Sequence, residues 1–121
     1  MRSIFGQILA DVIDGLPEAR GAIFADWEGE AVDQAARVSD SEIQLVGAHW
    51  GVVFHLAQRS LSKLGLSDLE QLVLRFSSGR VVVIRKVTSE YYVLIEVDGA
   101  TSLGRALSAL DRAQQQLREQ M

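Results

Sequence analysis

The pattern of hydrophobic and polar positions predicts three helices and five strands. Residues 4–16 carry apolar side chains at helical spacing and are followed by a proline, which predicts a first helix. Two short runs at residues 21–26 and 30–36 flank the turn DWEG at residues 26–29 and predict a hairpin.

A long second helix is predicted after the hairpin. Ser39, Asp40 and Ser41 are candidates for its N-cap, because short polar side chains accept hydrogen bonds from the N–H groups of the first helical turn. The helical pattern continues to Leu64, and Gly65 is a common stop signal.

Three strand-like segments follow at residues 69–76, 80–87 and 91–97. The middle segment is apolar at residues 81–84 without alternation, which is typical of a strand covered on both faces. A last helix is predicted after a cap at Thr101 or Ser102. The pattern therefore predicts an α/β (α+β) fold of order α-β-β-α-β-β-β-α in a single domain, residues 1–121, with helices on both faces of the sheet.

The second helix has two apolar faces when its residues are placed at steps of about 100°. The broad face is predicted to lie on the sheet and comprises Ile43, Val46, Trp50, Val53, Phe54, Ala57, Leu61 and Leu64. The opposite face, which we call the seam, comprises Leu45, His49, Val52 and Leu56. A narrow polar wedge between the faces comprises Gln44, His55, Gln58 and Ser62, joined by Gly51. The 4-3-4 spacing of the seam is typical of a surface that packs on another helix.

A second molecule is the expected cover for the seam, and another segment of the same chain is the alternative. Three exposed aliphatic side chains would each forgo about 1.5–3 kcal/mol relative to burial. Gly47 and Gly51 each cost about 1 kcal/mol in a helix. They either permit close approach of another element or accommodate bulky neighbours such as Trp50.

Composition and charge argue against several classes of function. The 121 residues carry a net charge of -4, which disfavours nucleic acid and anionic membranes as partners. The chain has no cysteine and two histidines, so no metal or other cofactor is expected. The N-terminus lacks the apolar core of a signal peptide, and the nearly apolar run at residues 45–57 is shorter than the roughly 20 residues that span a bilayer. A cytoplasmic protein without membrane insertion is expected.

No catalytic motif is present in the sequence. It contains neither a GxxxxGK phosphate loop nor a GxSxG nucleophile elbow. His49 and His55 point about 120° apart on the helix and do not share a metal. Both are interpreted as packing or surface histidines, with pH sensing at an interface as the alternative for His49.

Two further features have two interpretations each. The basic residues of the third and fourth strands either form a solvated sheet edge or dock an acidic partner; they are Arg75, Arg80, Arg85 and Lys86. Trp27, at the turn of the first hairpin, either folds back onto the sheet or takes part in recognition.

The chain resembles the roadblock domain, the family of dynein light chains and of bacterial and archaeal regulators of Ras-like GTPases. Residues 16–32, LPEARGAIFADWEGEAV, resemble the family's first helix end, first strand and following turn. Residues 81–117 resemble its closing hairpin and last helix. The long middle helix lies where the family has its dimerisation helix.

The resemblance implies a profilin-like fold, with a five-stranded antiparallel sheet, the first and last helices on one face and the middle helix on the other. It also implies a homodimer paired through the middle helix and the third strand, whose paired helices meet a GTPase. Carried over, the interface comprises Leu45, His49, Val52, Leu56, Arg59, Leu72, Leu74 and Arg75.

Within the family the chain looks like the bacterial MglB-like members. MglB activates its GTPase without an arginine finger, but this sequence stops at Met121 without the C-terminal extension of MglB. That departure favours a smaller adaptor such as MglC. The resemblance thus implies a non-catalytic protein of the polarity or gliding-motility type, which regulates or scaffolds a Ras-like GTPase system and binds the GTPase or another roadblock protein. Direct GTPase activation and a small-ligand sensor domain, which needs a polar internal cavity, are the alternatives.

Overall fold

The computed structural model describes residues 2–99 and 103–121. Within them the elements are α1 (Ile4–Asp14), β1 (Ala19–Asp26), β2 (Ala31–Ala36), α2 (Asp40–Ser62), β3 (Gln71–Arg75), β4 (Val81–Lys86), β5 (Tyr91–Val97) and α3 (Leu103–Glu119). The predicted order of helices and strands is confirmed. The predicted caps at Thr101 and Ser102 lie outside the described residues.

The five strands form one antiparallel sheet in the order β2-β1-β5-β4-β3. Four consecutive residues of β4 are buried: Val81 and Val83 face the side of α1 and α3, and Val82 and Ile84 face the side of α2. The prediction that this strand is covered on both faces is confirmed. The arrangement of α1 and α3 opposite α2 is the one that the resemblance implied.

The two ends of α2 differ in how well the sequence predicted them. Ser39 is the N-cap, and its Oγ accepts a hydrogen bond from the N–H of Glu42 at 3.1 Å. The helix ends at Ser62, two residues before the predicted end, because tighter turns follow in which the N–H of Leu64 donates to Leu61 and that of Gly65 to Ser62. The placement of Leu64 on the sheet was wrong, since its side chain is 69% exposed.

Two glycines bring α2 close to the sheet. A Cβ on Gly47 would lie 2.7 Å from Ile23 Cγ2, and one on Gly51 would lie 2.6 Å from Tyr92 Oη. Neither position has room for a methyl group unless the helix or the facing side chain of Ile23 or Tyr92 is displaced. The predicted placement of Gly51 in the polar wedge was therefore wrong, and close approach is the reason for both glycines.

The hydroxyl of Tyr92 joins the strand to the helix. It is fully buried and donates to the carbonyl oxygen of Gly47 at 2.8 Å. Burial, and secondarily the negative charge of Asp26, raises the pKa of Tyr92 to about 12 from an ordinary value of 10.0. The neutral phenol is thus the form that the folded chain accommodates.

We expect the free energy of unfolding to decline as the pH rises from about 10 to about 12, since the unfolded chain releases the Tyr92 proton first. The loss is on the order of 2 kcal/mol. Urea unfolding across this range, with Tyr92→Phe as the matched variant, measures it. An equally steep decline in Tyr92→Phe would assign the effect to other groups.

Candidate interaction surface

The seam of α2 is open to solvent. Leu45 is 73% exposed, Val52 57% and Leu56 56%, and His49 between them is also exposed. The opposite side of the helix buries Ile43, Gly47, Gly51 and Phe54 against the sheet. Within the described residues no other segment covers the seam, so the alternative of an intramolecular cover is excluded for that part of the chain.

The strand β3 lies at the edge of the sheet and pairs only with β4 among the described strands. Its outer N–H and C=O groups are therefore available to another strand. Leu72 and Leu74 are half-buried against the α2 side of the sheet, whereas Arg75 is exposed. The backbone of β3, together with the exposed parts of these residues, forms the second part of the predicted interface.

An apolar strip joins the seam to β3. Val46, Val53 and Ala57 lie on the flank of α2 next to the seam and are half-buried. Trp50 extends towards the sheet edge, and its ring centroid is 5.7 Å from that of Phe76. The sequence placed the helical residues of this strip on the sheet-facing side of α2, and Val46 and Trp50 do pack against the core on that side of the sheet.

We call the seam, the apolar strip and β3 together the α2–β3 surface. Arg59 is the remaining predicted interface residue. It is exposed and lies in the last turn of α2. It lies three residues after Leu56, in line with the seam. The surface thus brings the seam, Arg59, Leu72 and Leu74 together. The side chain of Arg75 lies on the opposite face of the sheet, because its cross-strand partner Val81 faces α1 and α3.

The opposite sheet edge is more engaged with the rest of the chain. Asp33 of β2 accepts a hydrogen bond from Ser3 before α1, and Gln34 accepts one from Gln44 of α2 at 3.1 Å. Side chains of β2 are therefore tied to both helix layers, which leaves β3 as the freer edge.

The basic residues of β3 and β4 do not form one patch. Arg80 donates to Asp98 at 2.9 Å and Arg85 lies 2.8 Å from Asp111. The hydrogen bond from Arg80 is the main reason why the pKa of Asp98 is lowered. Arg85 and Lys86 point to opposite faces of the sheet, as neighbours on a strand do. A single docking patch made of all four residues is excluded.

The described residues provide no group of three or more potential metal ligands. None of the helices in the same residues is long and apolar enough to cross a membrane.

The fold is that of solved roadblock structures. The Roadblock/LC7 domain from Streptomyces avermitilis superposes with a TM-score of 0.85 at 10% identity, covering 94% of each chain. Myxococcus xanthus MglB gives a TM-score of 0.84 at 12% identity, covering 95% of this chain and 92% of that chain. MglC from Myxococcus xanthus gives 0.67 at 14% identity, covering 95% and 97%.

These comparisons confirm the predicted fold. No family model matches the chain, and neither does the sequence of any curated protein. The likeness is therefore one of three-dimensional structure, at identities too low to carry a function by themselves.

Proposed function

We propose that residues 1–121 form a single roadblock domain that acts as a cytoplasmic homodimeric adaptor. It has no active site of its own and binds, regulates or scaffolds a small Ras-like GTPase system of the bacterial polarity or gliding-motility type. Its partners are the GTPase, another roadblock protein, or both. The observation that carries the proposal is the exposed seam of α2 beside the unpaired edge of β3.

The geometry of the seam favours a second copy of the chain as its cover. The spacing of 4, 3 and 4 residues reads the same in both directions along α2. Two antiparallel copies can therefore place Leu45 against the partner's Leu56 and His49 against the partner's Val52. A symmetric dimer presents the same patch twice and requires this kind of self-complementarity.

The edge strand supports the same arrangement. Two antiparallel copies of β3 can pair through their free backbone groups and continue the sheet from one molecule into the next. A solved MglB of the same fold, with a TM-score of 0.83, is described as having a tetrameric arrangement, which supports self-association of this architecture. The border of the proposed contact comprises Leu72, Leu74, Arg75 and Arg59.

Affinity capture from the native cell tests the GTPase proposal. The tagged chain is expected to retain a Ras-like GTPase or another roadblock protein, identified by mass spectrometry. The Val52→Asp chain is the matched bait that reports whether capture depends on the dimer. Recovery of neither class of protein with the unmodified chain would contradict the proposal.

Direct activation of the GTPase is a separate outcome of the same experiment. The captured GTPase is purified, and its GTP hydrolysis is measured with and without the chain. An adaptor leaves the hydrolysis rate unchanged while binding is detected. If the rate of GTP hydrolysis increases with the concentration of the chain, the chain is a GTPase activator and not only an adaptor.

A further inference from the structure

The charged residues of α2 lie only at its two ends. The helix from Asp40 to Ser62 contains Asp40 and Glu42 in its first turn and Arg59 in its last turn, and no other Asp, Glu, Lys or Arg. Two such helices side by side in the parallel direction would bring like charges together at both ends. The antiparallel direction brings opposite charges together instead.

Two of these charges extend the row of seam residues. Glu42 lies three residues before Leu45, and it is exposed. Arg59 lies three residues after Leu56, so the extended row has spacings of 3, 4, 3, 4 and 3. The helix dipole favours an acidic first turn and a basic last turn, but it does not select a side of the helix. Asp40 illustrates this, because it lies about 160° around the helix from Glu42.

The extended row reads the same in both directions, as the seam does. The antiparallel register that places Leu45 against the partner's Leu56 therefore places Glu42 against the partner's Arg59. Two-fold symmetry repeats the contact at the other end of the helix pair. Long charged side chains that border an apolar seam commonly form ion pairs between helices and set the orientation of the pair.

The charges around Glu42 leave this end of α2 negative. The Glu42 side chain is 50% exposed, and its Oε1 lies 3.6 Å from Nη2 of Arg20. Arg20 is shared with two other carboxylates, since it lies 2.7 Å from Glu96 and 3.4 Å from Asp98. Arg80 pairs with the same two carboxylates. The two arginines and three carboxylates of this group sum to a charge of -1, so a further cation is attracted to Glu42.

The charges around Arg59 leave the other end of α2 positive. Arg59 is exposed, and no described carboxylate lies within 4.0 Å of its guanidinium. Lys86 lines the same cleft as Arg59, and Asp68, at 3.7 Å from Lys86 Nζ, offsets the charge of that lysine. Glu70 in an adjoining cleft adds one negative charge, and Lys63 at the C-cap adds one positive charge. These neighbours cancel and leave the charge of Arg59 for a carboxylate of another molecule.

We propose that two ion pairs between Glu42 and the partner's Arg59 make α2 selective for an antiparallel second copy of this chain. The apolar seam supplies most of the affinity, and the end charges determine which helix pairs with it and in which direction. A helix with the wrong charge at either place is disfavoured, because like charges then face each other. This inference rests on the proposed homodimer and deepens it, since apolar side chains alone do not distinguish one roadblock helix from another.

Charge reversal in one chain at a time tests the inference. Glu42→Arg and Arg59→Glu each place like charges opposite each other twice in a homodimer. Each variant should therefore dimerise about tenfold more weakly than the unmodified chain. An equal mixture of the two variants should recover the unmodified affinity, because both contacts of the mixed dimer join opposite charges. Sedimentation velocity with a fluorescent label on one variant measures the mixed dimer.

Arg112→Glu is the matched control, because it makes the same charge reversal on α3, on the other face of the sheet. It should leave the affinity unchanged. If a reversal does not fold, Glu42→Gln and Arg59→Gln take its place, each with an expected loss of about threefold. The chain with both glutamines should lose no more than either alone, because one substitution already removes both contacts. Additive losses would contradict the pairing.

The possible outcomes separate this inference from the proposed function. Single reversals that dimerise as tightly as the unmodified chain, or a mixture no tighter than its components, would overturn the inference and leave the homodimer in place. A Glu42→Arg chain that pairs most tightly with the unmodified chain would indicate parallel helices and would also overturn it. An unmodified chain that stays monomeric would overturn the proposed homodimer and this inference together.

Discussion

Val52→Asp is expected to convert the dimer into a folded monomer. A buried valine contributes about 1.5–3 kcal/mol, and the symmetric interface contains it twice. The dissociation constant should therefore rise by about 10²-fold to 10⁴-fold. In the free chain Val52 is already 57% exposed, so the substitution should cost the monomer less than about 0.5 kcal/mol. Sedimentation velocity and thermal unfolding measure the two effects.

Val32→Asp is the matched control for this experiment. Val32 is a second exposed valine, at 43%, but it lies on β2 at the far edge of the sheet. The control should form a dimer with the same mass in solution as the dimer of the unmodified chain. If Val52→Asp also keeps that mass, or if both variants lose it, the seam is not the specific interface.

Phe54→Ala is expected to lower the free energy of unfolding of the chain, although Phe54 lies only two residues after Val52 on the same helix. Phe54 is fully buried and its ring stacks on Trp27 at 4.9 Å. Removal of such a side chain costs about 3–5 kcal/mol. For a chain of this size the melting temperature should fall by about 10 °C or more. Urea unfolding followed by circular dichroism measures the loss.

The measurement is sharpest in the Val52→Asp background, because dimerisation then does not contribute to the apparent stability. Phe54→Leu, which keeps most of the apolar volume, is the control and should cost less than half as much as Phe54→Ala. A loss below about 1 kcal/mol for Phe54→Ala would show that this side of α2 is not packed on the sheet.

The sequence predicted the helices and strands well because their periodicities are strong. Residues 81–84, which lack alternation, indicated a strand covered on both faces, and the structure places its side chains in two separate cores. The exposed seam followed from its spacing on the helix. Each of these signals lies within one short segment, so the sequence of that segment is enough to predict the feature.

Contacts between distant residues were not predictable in the same way. Glu96 lies on a largely apolar strand, is buried and pairs with Arg20 at 2.7 Å across 76 positions of sequence. Gly51 was misplaced because its neighbour is Tyr92, 41 positions away.

Cross-linking at the seam tests the central claim, that a second copy covers α2 in the antiparallel direction. The natural chain has no cysteine, so Leu45→Cys and Leu56→Cys can be prepared separately, mixed and oxidised. The dimer should place these two positions within the roughly 7 Å between Cα atoms that a disulfide permits. The predicted result is a disulfide between the two variants, with twice the 13.3 kDa mass of one chain, formed faster than in either variant alone. A mixture that stays at 13.3 kDa, or equal rates for all pairings, would contradict the account.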